Sequence, residues 1–212
     1  MKTNALLIFT RNPEIGKVKT RLAETIGDQN ALTVYNDLLN HTKNVTEHAD
    51  CDKFVFYDSH VSKNDLWPES IYQKKLQIEG DLGQRMQTAF DSLFEMGYER
   101  CIIVGSDLFD LTKSIIENAF KQLNTYDVAI GPAEDGGYYL LGLKKKNDTV
   151  FLNKKWGTDS VYEATIKDLE HFKIAILPTL NDIDTFEDLE RSGYNCKNIK
   201  INTNAEISSK EV

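Results

Sequence analysis

Sulfur is scarce in this chain, basic residues are outnumbered by acidic ones, and long apolar runs are missing. Its 212 residues include three cysteines, Cys51, Cys101 and Cys196, widely spaced and in no Cys-x-x-Cys or Cys/His cluster. That spacing indicates neither a zinc site nor a disulfide framework and fits a reducing compartment. Lys and Arg number 25 against 33 Asp and Glu, a formal net charge of -8. The basic footprint of a nucleic-acid binder is therefore absent, although a few local basic residues suffice for a small nucleotide. The N-terminal stretch MKTNALLIFTRNP holds an apolar run too short for a signal sequence or a membrane span, and no later segment is long enough. A cytoplasmic protein is expected. Gly-x-Ser-x-Gly and the Walker A spacing are missing, and none of the four histidines pairs with a carboxylate at ligand spacing.

The remaining composition, 41% hydrophobic and 27% charged, is that of a globular protein long enough to bury a sizeable core. No repeat, low-complexity stretch or linker interrupts it. One domain over residues 1–212 is expected, with a polar tail from about residue 195. Strands are predicted at Ala5 to Thr10, Lys53 to Tyr57, Leu76 to Ile78, Arg100 to Val104, Asp127 to Ile130, Tyr138 to Leu143 and Ile174 to Leu177. Helices are predicted near Lys19, from Asp28 (as N-cap) through Val45, on the stripe Leu82, Met86, Ala89, Phe90, Leu93, Phe94, and over Thr112 to Leu123, Thr158 to His171 and Thr185 to Arg191. This alternation predicts an α/β fold with a mainly parallel sheet. The connection between Asp127 and Leu143 is too short for a parallel crossover, so one antiparallel element is expected there.

Ligands of open α/β sheets bind at the carboxyl ends of the strands, and the unusual residues fall there. After the first strand, Arg11, Lys17, Lys19 and Arg21 put four cations within eleven residues, with Gly16 allowing close backbone approach. A phosphate site is expected, since Arg offers a planar fork, Lys a mobile charge, and the next helix its N-terminus. Asp107, in Gly105-Ser106-Asp107, and Asp182 with Asp184, in Asp182-Ile183-Asp184-Thr185, would share Mg²⁺ or Mn²⁺, a hard cation that takes carboxylates and phosphate oxygens. Each also has a plain capping role open to it, Asp107 on the next turn and Asp184 or Thr185 on the last helix. In Gly80-Asp81-Leu82-Gly83-Gln84-Arg85 the glycines suggest tight backbone beside a ligand. Asp81 is equally suited to cap a helix, and Arg85 to reach a phosphate or a carboxylate. Asp135-Gly136-Gly137 is either a plain turn or a site for a hydroxylated acceptor or sugar. Tyr138 and Tyr139 suit a strand, and Trp67 and Trp156 are expected to pack.

Five segments in this order, FTRNPEIGKVKTRLA, GDLGQRM, GSD, GPAEDGGYYLLGL and DIDTFEDL, resemble the GT-A-type nucleotide-diphospho-sugar transferase superfamily. The resemblance runs from about Asn4 to Arg191. Within the superfamily the chain looks like a bacterial branch labelled arsenosugar-biosynthesis glycosyltransferases, which is related to the molybdenum-cofactor and 2-phospholactate guanylyltransferases. The resemblance implies a three-layer α/β/α sandwich with one antiparallel strand. It implies phosphate contact by Arg11, Lys17, Lys19 and Arg21, a metal on Asp107 and on Asp182 or Asp184, nucleoside contact by GDLG, and an acceptor or sugar near Asp135-Gly136-Gly137. The chain departs from the branch at Leu108-Phe109, where Cys-Pro is usual, at Phe186 for Pro, and at Gly157 for Ser.

The expected activity is metal-dependent transfer from a nucleotide sugar to a small-molecule acceptor, with Asp107 and Asp135 catalytic. Nucleotidyl transfer from a nucleoside triphosphate, releasing pyrophosphate, is the first alternative. A non-catalytic nucleotide-binding protein with a degenerate site is the second.

Overall fold

A computed structural model describes residues 3–195. Cys196 and nearly all of the expected polar tail lie outside the described residues. Seven strands and six α-helices alternate: β1 (Asn4–Thr10), α1 (Thr20–Ile26), α2 (Asp28–Glu47), β2 (Asp52–Tyr57), β3 (Tyr72–Leu76), α3 (Leu82–Glu95), β4 (Arg100–Val104), α4 (Lys113–Gln122), β5 (Val128–Pro132), β6 (Tyr138–Leu143), α5 (Val161–Asp168), β7 (Ile174–Ile176) and α6 (Phe186–Arg191). The sheet order is β3-β2-β1-β4-β6-β5-β7. β6 runs antiparallel to β4 and β5, and every other pairing is parallel. The expected mixed sheet with one antiparallel strand is therefore present. No helix of the described residues is long and apolar enough to cross a membrane.

The continuous apolar run of β1 has a simple cause: the strand is buried on both faces. Leu6 and Ile8 pack with Tyr35 and Leu39 of α2 and with Ile116 and Phe120 of α4. Ala5 and Leu7 pack with Met86, Phe90 and Leu93 of α3, beside Tyr162 and Ile166 of α5. Helices thus cover both faces. The chain builds outward from β1 to β2 and β3, then returns past β1 to lay down β4. That reversal opens a crevice at the carboxyl ends of β1 and β4, where such sheets bind ligands.

Several boundaries differ from the sequence reading. β3 lies at Tyr72–Leu76, ahead of the predicted Leu76 to Ile78. Its anchor is Tyr72, 1% exposed, whereas Leu76 and Ile78 are 51% and 44% exposed; apolar side chains outside the core made the wrong segment look like the buried strand. Gly27, at φ 80°, separates α1 from α2 and takes the cap position expected of Asp28, which is the first helical residue. α5 begins three residues later than predicted, at Val161, because residues 158–160 form a turn. A 3-10 turn at Asp148–Phe151 carried no periodic signal.

Candidate active site

The loop after β1 is fixed at both ends. Tyr35 of α2 accepts from the Arg11 backbone N–H at 2.9 Å, donates to the Arg11 carbonyl at 3.1 Å, and lies 3.3 Å from Thr10 Oγ1. Burial pushes its phenol up from the ordinary value, so it stays a neutral donor and acceptor. Asn12 ties the loop to the end of β2, its N–H donating to Asp58 Oδ1 at 2.8 Å and its Oδ1 accepting from Ser59 Oγ at 2.8 Å.

The loop ends on Lys19, in the left-handed region at φ 49°, which turns its side chain inward. Lys19 Nζ lies 3.1 Å from Asp107 Oδ2 and 2.7 Å from Asp184 Oδ1, with its side chain only 5% exposed. Burial alone would lower its pKa; the Asp107 and Asp184 carboxylates outweigh that and hold it above the ordinary lysine value. Arg21 also pairs with Asp184. Lys17 points away, paired with Glu14 at 2.6 Å and 72% exposed.

Asp182 and Asp184 reach Asp107 by a route that sequence does not show. Beyond β7 the chain stays beside β5: Leu177 N–H donates to Ile130 O at 2.8 Å, Leu180 N–H to Pro132 O at 3.1 Å, and Glu134 N–H to Leu180 O at 3.0 Å. Ile183, fully buried between the two acids, then donates its N–H to Asp107 O at 3.1 Å. Carboxylate oxygens of Asp107, Asp182 and Asp184 consequently lie within 4.8 Å of one another. Capping of α6 is left to Thr185, which forms a reciprocal box with Asp188, so Asp184 faces the cluster. The two neighbours titrate in opposite directions. For Asp182, burial and then the charges of Asp107, Asp135 and Asp184 push the carboxyl up to about 7. For Asp184, burial also raises it, but Lys19 and Arg21 hold it below the ordinary value. Three clustered oxygens, one on an acid with no ion pair among the described residues, are a donor set that fits a hard divalent cation.

Two cavities meet at this cluster. The larger, about 500 Å³, mixes polar and apolar walls, and Arg11, Lys19, Arg21, Arg85, Asp58 and Gln77 line it. The smaller, about 230 Å³, is walled chiefly by apolar side chains, with Asp135 and Asp182 at its polar margin. Gly105 and Asp107 belong to both. Asp58 and Gln77 escaped the sequence reading. The strand-end rule applied to β2 would have found Asp58, whereas Gln77 was hidden by the misplaced β3.

Other expected residues have structural employment. Asp81 accepts from Gln84 N–H at 2.9 Å and Gln84 Oε1 from Asp81 N–H at 3.0 Å, so the Asp81 side chain is taken up in capping α3. Arg85 lines the larger cavity, its Nε donates to Gly80 O at 2.8 Å, and no carboxylate pairs with it among the described residues. Gly80 precedes the cap and lines neither cavity, and the same holds for Gly16. A Cβ on Gly83 would fall 2.5 Å from Phe151 O and 2.7 Å from the Trp156 ring. Gly83 therefore lets α3 pack closely against Phe151 and Trp156. Asp135 Oδ1 accepts from Gly137 N–H at 2.8 Å, and both residues line the smaller cavity. Gly136 has φ +85°, and a Cβ there would stand 2.2 Å from Asp159 O. Gly136→Ala is expected to destabilise the protein by about 3 kcal/mol, since both strain and overlap oppose it; an unchanged urea midpoint would show that this turn repacks freely.

The mixed sheet, the basic first loop and the carboxylates beside the β1/β4 crevice define the nucleotide-diphospho-sugar transferase class of α/β fold. The chain belongs to the DUF2064 family, described as an uncharacterized protein conserved in bacteria, which matches residues 41–158. It is similar to the crystal structure of a candidate nucleotide-diphospho-sugar transferase from Desulfovibrio desulfuricans G20, with 34% identity, a TM-score of 0.81, and 89% of this chain and 85% of that one covered. The fold also matches 4-diphosphocytidyl-2C-methyl-D-erythritol synthase from Anaerococcus prevotii DSM 20548, at 9% identity and TM-score 0.54, covering 89% and 93% of the two chains. A third match is Rv0371c from Mycobacterium tuberculosis H37Rv in complex with manganese, at 9% identity and TM-score 0.50, covering 90% and 97%. No curated protein matches the chain. The 34% identity over most of both chains makes this an enzyme of the glycosyl- or nucleotidyl-transferase type.

Proposed function

We propose that the chain is a divalent-metal-dependent transferase that uses a nucleotide-activated sugar, as the arsenosugar-type glycosyltransferase branch implies, with the whole chain acting as one domain. The observation that carries this reading is the triad of Asp107, Asp182 and Asp184 at the seam between a cation-lined cavity and a mainly apolar one. The triad would hold Mg²⁺ or Mn²⁺, and manganese in the similarly folded Rv0371c supports that choice. A bound ion supplies charge neutralisation for the donor's diphosphate, which makes it a better leaving group.

The chain's own residues divide the remaining work. Arg11 and Arg21 line the larger cavity where a diphosphate would lie, and Lys19 at its floor adds a fixed positive charge. Lys17, directed outward, is the weakest member of the expected phosphate set. Asp135 at the margin of the smaller cavity accepts the proton of the acceptor hydroxyl. The hydroxyl oxygen then bonds to the anomeric carbon of the sugar. The bond from that carbon to the diphosphate breaks, and the nucleoside diphosphate leaves with the electron pair.

Nucleotidyl transfer from a triphosphate is a second reading, favoured by the cation cluster and by the cytidylyl-type enzymes that share the fold. One experiment separates the two: incubation with nucleotide sugars and with nucleoside triphosphates, each with Mg²⁺ or Mn²⁺, following nucleoside diphosphate and pyrophosphate release. Nucleoside diphosphate release, lost by about a thousandfold or more in Asp107→Ala, is the expected result. Pyrophosphate from a triphosphate alone would move the assignment to nucleotidyl transfer, and an unaltered rate in Asp107→Ala would remove the metal assignment.

A further inference from the structure

The smaller cavity is chemically unlike the larger one. Its wall includes Phe9, Met86, Ile103, Trp156 and Val161, and no lysine, arginine or histidine lines it. Its charged groups are all carboxylates: Asp107, Asp135 and Asp182. A divalent ion with Lys19 and Arg21 would more than balance the three triad carboxylates, but both side-chain cations line the larger cavity and neither lines this one. Asp135 would then remain uncompensated, because the described residues give it no ion pair and its Oδ1 takes only the Gly137 N–H, at 2.8 Å. An anion entering this space would leave water for a low-dielectric wall that carries its own sign of charge and no donor cation. An apolar body loses nothing of that kind and gains by leaving water. Size points the same way. An apolar cavity of about 150 Å³ accepts a benzene ring, so about 230 Å³ accommodates a six-membered ring with a short substituent.

We infer that this cavity is the acceptor subsite, and that it takes an acceptor with a compact apolar body and a hydroxyl but no phosphate or carboxylate. The inference rests on the transferase reading and sharpens it. Acceptors that are themselves phosphate esters, as nucleotidyl transfer to a sugar phosphate requires, would meet Asp135 and an apolar wall with no lysine, arginine or histidine. The wall therefore selects against that reaction at this site.

The test compares benzyl alcohol with benzyl phosphate on the full chain in Mg²⁺, by saturation-transfer NMR and by tryptophan fluorescence. Trp156 lines the cavity, whereas Trp67 is 2% exposed in the core, so Trp156→Phe identifies the responding ring. Benzyl alcohol is expected to bind at least tenfold more tightly than benzyl phosphate. Thr158 is an exposed residue on the rim, and Thr158→Lys is expected to narrow that ratio to below threefold by strengthening only the phosphate. Equal or tighter binding of benzyl phosphate at Trp156 of the unaltered protein, or no binding of either probe there, overturns the inference. A parallel titration with nucleotide sugars reads the larger cavity independently. Failure there, with the alcohol preference intact, overturns the transferase reading and the acceptor role with it; nucleotide-sugar binding without the alcohol preference overturns the inference alone.

Discussion

Lys19→Met should make the protein less stable and, at the same time, a better binder of divalent metal. Lys19 is the buried cation between Asp107 and Asp184, at 3.1 and 2.7 Å. Deleting one partner of a fully buried pair costs about 3–5 kcal/mol. Here the carboxylates are 36% and 32% exposed, and the cost is discounted to about 2 kcal/mol because water screens them. In a chain of this size that lowers the melting temperature by roughly 4–8 °C. The same change leaves three acids with one competitor fewer, so Mg²⁺ or Mn²⁺ affinity should rise about tenfold, equivalent to roughly 1.4 kcal/mol. Saturating metal, at about a hundred times its dissociation constant, contributes about 2.7 kcal/mol and should restore the loss. Calorimetric titration and thermal melts with and without metal check both signs. A variant that melts and binds metal like the parent would show that Lys19 and the metal do not share ligands.

Asp182→Asn should stabilise the metal-free protein at pH 8 and destroy its affinity for metal. The folded-state pKa of Asp182 stands at about 7, against an ordinary 3.8, first through burial and then through the charges of Asp107, Asp135 and Asp184. The sign follows from proton linkage. A carboxyl whose folded pKa is raised contributes most below about pH 4, and the contribution is lost as pH rises through about 7. Asparagine keeps the shape without the charge, so its advantage grows across that window and is full above about pH 7. Discounted for a site partly open to solvent, it amounts to on the order of 2 kcal/mol. Metal binding in the parent must displace that proton, so affinity should fall about tenfold per pH unit below pH 7. Melting curves between pH 4 and 8 provide the check. An asparagine variant less stable than the parent at pH 8 without metal would show that the three carboxylates do not repel one another as their spacing requires.

The sequence by itself determined the class of fold. The unbroken apolar runs of β1 and β4 can only be buried on both faces, and the short link between β5 and β6 forces one strand antiparallel. It also determined the chemistry available at the crevice, because cations after β1 and acids after β4 and β7 stand where strands end. The triad of Asp107, Asp182 and Asp184 was legible as residue types. Its closeness was not, since it depends on backbone bonds between residues 177–183 and the 130–134 and 107 segments, contacts that no local pattern encodes. Tertiary structure alone decided which candidates line the crevice and which are engaged in caps and packing. Asp81 and Asp184 each precede a helix. Only Asp81 caps one, because Gln84 completes its box, whereas Thr185 relieves Asp184 of that role. Gly83 and Gly80 read alike in sequence, and only the ring of Trp156 lying over Gly83 shows what its missing side chain is for. The division of the crevice into a cationic cavity and an apolar, acid-edged one was likewise beyond the sequence, because the walls come from segments more than a hundred residues apart that meet only when the sheet closes over its core.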